Sequence, residues 1–138
     1  MKHLIRIFGL VALLAACFPQ AAKAYDSADC RSSNPDLAIT VCSAIIDAGK
    51  ETKENIAVAY RLRAIAYGKK GDFERAIKDF DKLVDLYPKN ANSYFRRAFA
   101  HEQSGNTKLA AADYRKVLSI RPSDQEAIQA LERLKGTP

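Results

Sequence analysis

The hydrophobic and polar positions of this chain repeat at a shift of 34 residues. Over Ala57 to Asn90 the shift superimposes ten identities, including Tyr60 on Tyr94, Arg63 on Arg97, Ala64 on Ala98, Gly71 on Gly105, Ala76 on Ala110, Asp79 on Asp113 and Pro88 on Pro122. Chance would give about two. Inside each copy, helix-forming runs alternate with stops. Gly71 or Gly105 ends a first helix, Asp72 or Asn106 caps a second, and Pro88 or Pro122 closes the unit. Each copy therefore predicts a helical hairpin.

The pattern continues on both sides. Upstream, Asn34-Pro35 reads as a cap and first turn, Ala38-Ile39 matches Ala76-Ile77, Cys42 matches Phe80 and Gly49 is the stop, with a connection four residues longer than in the copies. Downstream, Ser123-Asp124-Gln125-Glu126 reads as a capping box before Ile128, Leu131 and Leu134, which are spaced by three. Six helices follow, over about 35–48, 54–69, 72–86, 90–103, 106–120 and 123–135, and no strand. The predicted fold class is all-α, a short α-solenoid of antiparallel helix pairs. It has two complete units, 57–90 and 91–124, a half unit at 34–49 and a closing helix at 123–135. Stacking is the physical reason for such a design, because a lone hairpin cannot bury its apolar stripe and a neighbour can cover it.

Length and composition narrow the picture. The 138 residues, 48% hydrophobic and 28% charged, suit one domain and exclude a disordered or fibrous chain. Met1 to Ala24 reads as an export signal: Lys2 and Arg6 in front, an apolar run from Ile7 to Ala16, and a small-residue end at Ala22-Lys23-Ala24. The run is shorter than the roughly 20 apolar residues that span a bilayer. Two processing sites compete. Leu14-Ala15-Ala16-Cys17 resembles the lipobox of bacterial lipoproteins, in which Cys17 would be lipidated, whereas Pro19 favours a cut after Ala24. The folded domain is then 25–138, exported to the periplasm or envelope, and it meets a membrane only if Cys17 carries lipid.

The formal charge of +6 falls to +3 outside the leader, since Lys2, Arg6 and Lys23 leave 19 basic and 16 acidic residues. That balance argues against nucleic acid as a partner, although a nucleic-acid-binding helical repeat remains an alternative on the basic isoelectric point. In an oxidising compartment Cys30 and Cys42 form an even pair, and a disulfide between them is expected. Cys42 would sit roughly 11 Å along a helix beginning at Pro35, and the chain from Cys30 can reach back about 16 Å. Catalytic chemistry has little to work with. There are two histidines, one of them in the leader, no glycine-rich phosphate loop and no metal-ligand spacing. No cofactor or enzymatic activity is expected. Asp79, Asp81 and Asp85 read as a solvated face, although the joint recurrence of Arg63 with Asp79 and Arg97 with Asp113 points to ion pairs within each unit. His101 reads as a half-buried packing residue.

Tyr60, Ala64, Tyr67, Ala76, Phe80 and Pro88 in one copy, and Tyr94, Ala98, Ala110, Tyr114 and Pro122 in the next, resemble the tetratricopeptide repeat family, from Asn34 to about Lys135. In that family the first helices of the hairpins form an inner wall that holds partner peptides. The resemblance places there Val58, Arg61, Leu62, Ile65 and Lys69, then Asn92, Phe95, Arg96, Phe99, Glu102 and Gln103, with Gln129 and Arg133 beyond. Phe95 and Phe99 would make an aromatic groove edged by Arg61 and Arg96, or else pack between the units. Some members hold C-terminal carboxylates with a lysine, asparagine and arginine set. Only Arg61 and Arg96 resemble that set, whereas Ile65 and Glu126 stand where asparagine and lysine would be needed. The function this implies is a non-catalytic adaptor that binds a protein or peptide of the cell envelope. The alternative is an outer-membrane lipoprotein that assists assembly.

Overall fold

A computed structural model describes residues 29–136. The expected leader, with Cys17 and both processing sites, lies outside the described residues. A short 3-10 turn at Asp29–Arg31 leads into six helices: α1 Pro35–Ala48, α2 Lys53–Lys69, α3 Phe73–Leu86, α4 Ala91–Gln103, α5 Thr107–Ile120 and α6 Gln125–Lys135. Each helix packs against the next in sequence, so α2 with α3 and α4 with α5 form antiparallel pairs in one stack. The expected all-α solenoid is the observed one.

Local chemistry explains most helix ends. Asn34 accepts bonds from the backbone N–H groups of Asp36 and Leu37, and Thr52, Asp72 and Asn90 cap α2, α3 and α4 in the same way. Gly71 and Gly105 take φ of 74° and 81°, the left-handed stop that other residues adopt at a cost. Two caps differ from expectation. Asn106 makes no side-chain cap and instead donates from Nδ2 to Ser104 Oγ. At α6 the cap is Asp124, which accepts from Ala127 N at 3.0 Å, so the capping box slips by one residue. Arg121, 2.8 Å from the Asp124 carboxylate, favours that choice, and Glu126 is left in solvent.

Alanines set the spacing of the stack. Ala64, Ala98 and Ala110 are fully buried and Ala76 nearly so, which lets neighbouring helices approach closely. Around them lie three apolar clusters: Val41, Cys42 and Ala59; then Tyr67, Phe80 and Leu83; then Tyr94, Tyr114 and Val117. Cys30 and Cys42 are joined in a disulfide that holds the leading turn against α1.

A polar ladder runs through this core. Arg63 donates from Nε and Nη2 to both oxygens of Asp79 at 2.8 and 2.7 Å, and from Nη1 to Ser43 at 2.9 Å. Arg97 repeats the pattern with Asp113 at 2.8 Å twice and with Asp81 at 2.7 Å. Ser43 stands where Asp81 stands once the longer upstream connection is allowed for, so each arginine ties its helix to the one before and the one after. The paired carboxylates raise both arginines above their ordinary range. The solvated reading of the α3 carboxylates is therefore corrected: Asp79 is buried and Asp81 is paired, which leaves Asp85 in solvent. His101 is more buried than expected, and its Nδ1 has no hydrogen-bond partner among the described residues.

Candidate functional site

The first helices of the pairs present one face to a groove of about 850 Å³. Its wall takes Ile65, Gly68 and Lys69 from α2, and Asn92, Phe95, Arg96 and Phe99 from α4. Phe73 and Phe80 of α3 lie at its base, and Arg121, Asp124 and Glu126 close the side toward α6. Helical spacing brings these groups together, since Ile65 with Lys69 and Phe95 with Phe99 are each one turn apart.

Six of the seven candidate residues, Ile65, Lys69, Asn92, Phe95, Arg96 and Phe99, thus line one groove. Arg61 lies in an adjoining hollow of about 320 Å³ with Val58, and Asn92 and Arg96 border both spaces. The aromatic pair divides its roles. Phe95 is half-buried, edge-on to Tyr114 at 5.4 Å, whereas Phe99 is 50% exposed. Three residues assigned to the wall do other work. Leu62 packs, half-buried, against the cluster of Val41 and Cys42 beside α1. Glu102 accepts two bonds from Arg133, at 2.8 and 3.0 Å, and one from the Tyr114 hydroxyl at 2.9 Å, forming a strut across α4, α5 and α6. Arg133, with help from Tyr114, holds the Glu102 carboxyl below the usual range despite its burial. Gln103 and Gln129 are exposed and border neither space.

The edges carry opposite charges. Lys69 and Arg96, with Arg61 beside them, make no ion pair among the described residues. Toward α6, Arg121 is neutralised by Asp124, and Glu126 makes no ion pair among the described residues. The groove is basic along α2 and α4 and acidic along α6, rather than basic on both edges. Such a surface can bind by apolar burial and charge matching. Among the described residues, no cluster of histidine, cysteine and carboxylate could hold a metal ion.

Gly68, Phe73 and Phe80 were missed by sequence reasoning. Gly68 carried the one usable signal: a second glycine in the last turn of α2, where Gly71 already supplies the stop.

Residues 61–125 match the tetratricopeptide repeat family. Three solved structures are similar in fold and sequence. One is the Arabidopsis OM64 TPR domain, at 30% identity and a TM-score of 0.64, covering 75% of this chain and 83% of that one. Another is the first TPR of Spaghetti (RPAP3) bound to the HSP90 peptide SRMEEVD, at 28% and 0.64, covering 73% and 77%. The third is the second TPR domain of human RPAP3 in complex with the HSP70 peptide SGPTIEEVD, at 27% and 0.65, covering 75% and 82%. No curated protein sequence matches significantly.

Proposed function

The chain belongs to the tetratricopeptide repeat family, and we propose that it is a non-catalytic adaptor whose groove binds a peptide or loop of another envelope protein. The observation that carries this reading is the half-exposed Phe99 in one groove with Lys69 and Arg96, which make no ion pair among the described residues, and the groove is roomy enough for an extended segment. Aromatic and arginine groups are the side chains that most often anchor such contacts. Two of the similar domains are bound to peptides that end in EEVD. Here Ile65 and Glu126 replace two of the polar groups that such a tail would need, so the partner is a different, apolar and acidic segment. The envelope setting rests on the leader pattern and on the Cys30–Cys42 pair. A lipid anchor at Cys17 would add membrane attachment without altering the groove.

Photo-crosslinking in the native cells tests this. A crosslinking amino acid at position 99 should capture one envelope protein, the same residue at the outward-facing position 82 should not, and Arg96→Ala should abolish the capture. Equal capture at both positions, or capture indifferent to Arg96, would rule the groove out as the binding surface.

A further inference from the structure

Three pairs of positions related by the shift of 34 residues are built in opposite ways. In the second copy Glu102 joins Arg133 and the Tyr114 hydroxyl, closing the space between α4 and α6 with a polar bridge. Thirty-four residues earlier those three places hold Gly68, Phe99 and Phe80. Each polar member has become glycine or phenylalanine, so no bridge forms between α2 and α4. The cleft there stays open, and all three residues line the groove. A Cβ added to Gly68 would meet no atom within 4 Å. The helix stop does not require this glycine, because the left-handed residue is Gly71. Glycine is also a poor helix former, so the fold itself gains nothing from the missing side chain.

We infer that the cleft between α2 and α4, lined by Gly68, Phe80 and Phe99, is an anchor pocket for one bulky apolar side chain of a partner segment whose neighbouring residues are acidic. This rests on the groove reading above and makes it specific. An aromatic or branched aliphatic side chain seated over the Gly68 backbone would cover Phe99 and remove its exposed face from water. The acidic neighbours follow from Lys69, Arg96 and Arg61, three cations along the basic edge that make no ion pair among the described residues. Glu126 on the opposite edge repels carboxylates, so the acidic flank runs along α2 and away from α6.

The test uses the full chain and synthetic seven-residue peptides, with Phe, Ile or Ala at the centre and Glu or Lys on both sides, titrated by fluorescence polarisation. The Phe peptide flanked by Glu should bind at least about tenfold more tightly than its Ala counterpart, the ratio that burying one such side chain supports. Lys flanks should weaken it further. The variant Gly68→Glu with Phe80→Tyr and Phe99→Arg rebuilds that bridge one repeat earlier, between α2 and α4. It should keep the helical circular dichroism of the parent and lose the preference for Phe over Ala. Gly68→Ala is the milder control, expected to keep or raise the melting temperature while weakening the Phe peptide. A wild-type chain that binds these peptides without regard to the central residue, or a bridged variant that keeps the preference, overturns the anchor pocket and leaves the groove reading standing. Absence of binding by every peptide overturns both.

Discussion

Replacing Asp79 by asparagine tests the arginine ladder where it is most exposed to loss. Asp79 is 4% exposed and receives two bonds from Arg63, whose side chain is 16% exposed. After the change Arg63 loses the Asp79 charge and keeps only neutral partners, the amide oxygen at position 79, the Ser43 hydroxyl and the Tyr60 ring. A nearly buried charge deprived of its counter-charge costs about 3–5 kcal/mol, and the remaining access to water puts this case near 3. Asp113→Asn is the internal comparison. Arg97 retains the Asp81 carboxylate at 2.7 Å, itself 48% exposed, so the loss should be about 2 kcal/mol. Urea unfolding followed at 222 nm reads both. With a slope of about 1.5 kcal/mol per molar, the midpoint should fall by about 2 M for Asp79→Asn and about 1.3 M for Asp113→Asn. The pair Arg97→Met with Asp113→Leu should recover much of the loss, because the one carboxylate it leaves without its cation, Asp81, is 48% exposed and stays hydrated. Midpoints within about 0.3 M of the parent for both single variants, or the reverse order, would refute the reasoning.

Three further outcomes are expected. Converting Cys30 and Cys42 to serine opens a short loop and should lower stability by about 2–4 kcal/mol in non-reducing urea titrations; no change would mean that the bridge adds nothing. Burial lowers the His101 pKa below 6.5, with Arg97 acting in the same direction and Asp113 and Asp81 against it. The folded state then favours the neutral ring. The stability it contributes is present above pH 6.5 and is lost as pH falls below that value. The melting temperature should therefore drop between pH 7 and 5.5, and His101→Tyr, which copies Tyr67, should flatten the drop; an identical slope in the variant would exclude His101 as its source. Ala98→Leu forces a larger side chain into a fully buried crossing and should cost about 1–3 kcal/mol by thermal denaturation, whereas an unchanged melting temperature would show that the crossing is loose.

Much of this architecture was legible because the repeat supplies two independent readings of each position. Tyr60 with Tyr94 and Ala64 with Ala98 fixed the register of the helices, and the joint recurrence of Arg63 with Asp79 announced the ladder. Other features depend on distances between helices that sequence spacing does not encode. Leu62 and Ile65 are both half-buried apolar residues of α2, yet the first packs against the cluster shared with α1 and the second lines the groove. Glu102 was placed on the wall because its position is right, but Arg133 on another helix claims it. The Asp124 cap was missed because Ser123 and Asp124 are both good caps, and the choice fell to Arg121 at the turn. Gly68 showed only as a second glycine near the end of α2, and that missing side chain acquires meaning as part of a site only beside Phe80 and Phe99.

Backbone amide shifts recorded while the captured partner's segment is added to the labelled chain test the binding surface most directly. Changes should concentrate at Ile65, Gly68, Lys69, Asn92, Arg96 and Phe99, and leave the outer positions Lys82 and Lys116 unmoved. Changes centred on those outer lysines, with the α2 and α4 positions silent, would contradict the assignment of the groove as the place where this chain meets its partner.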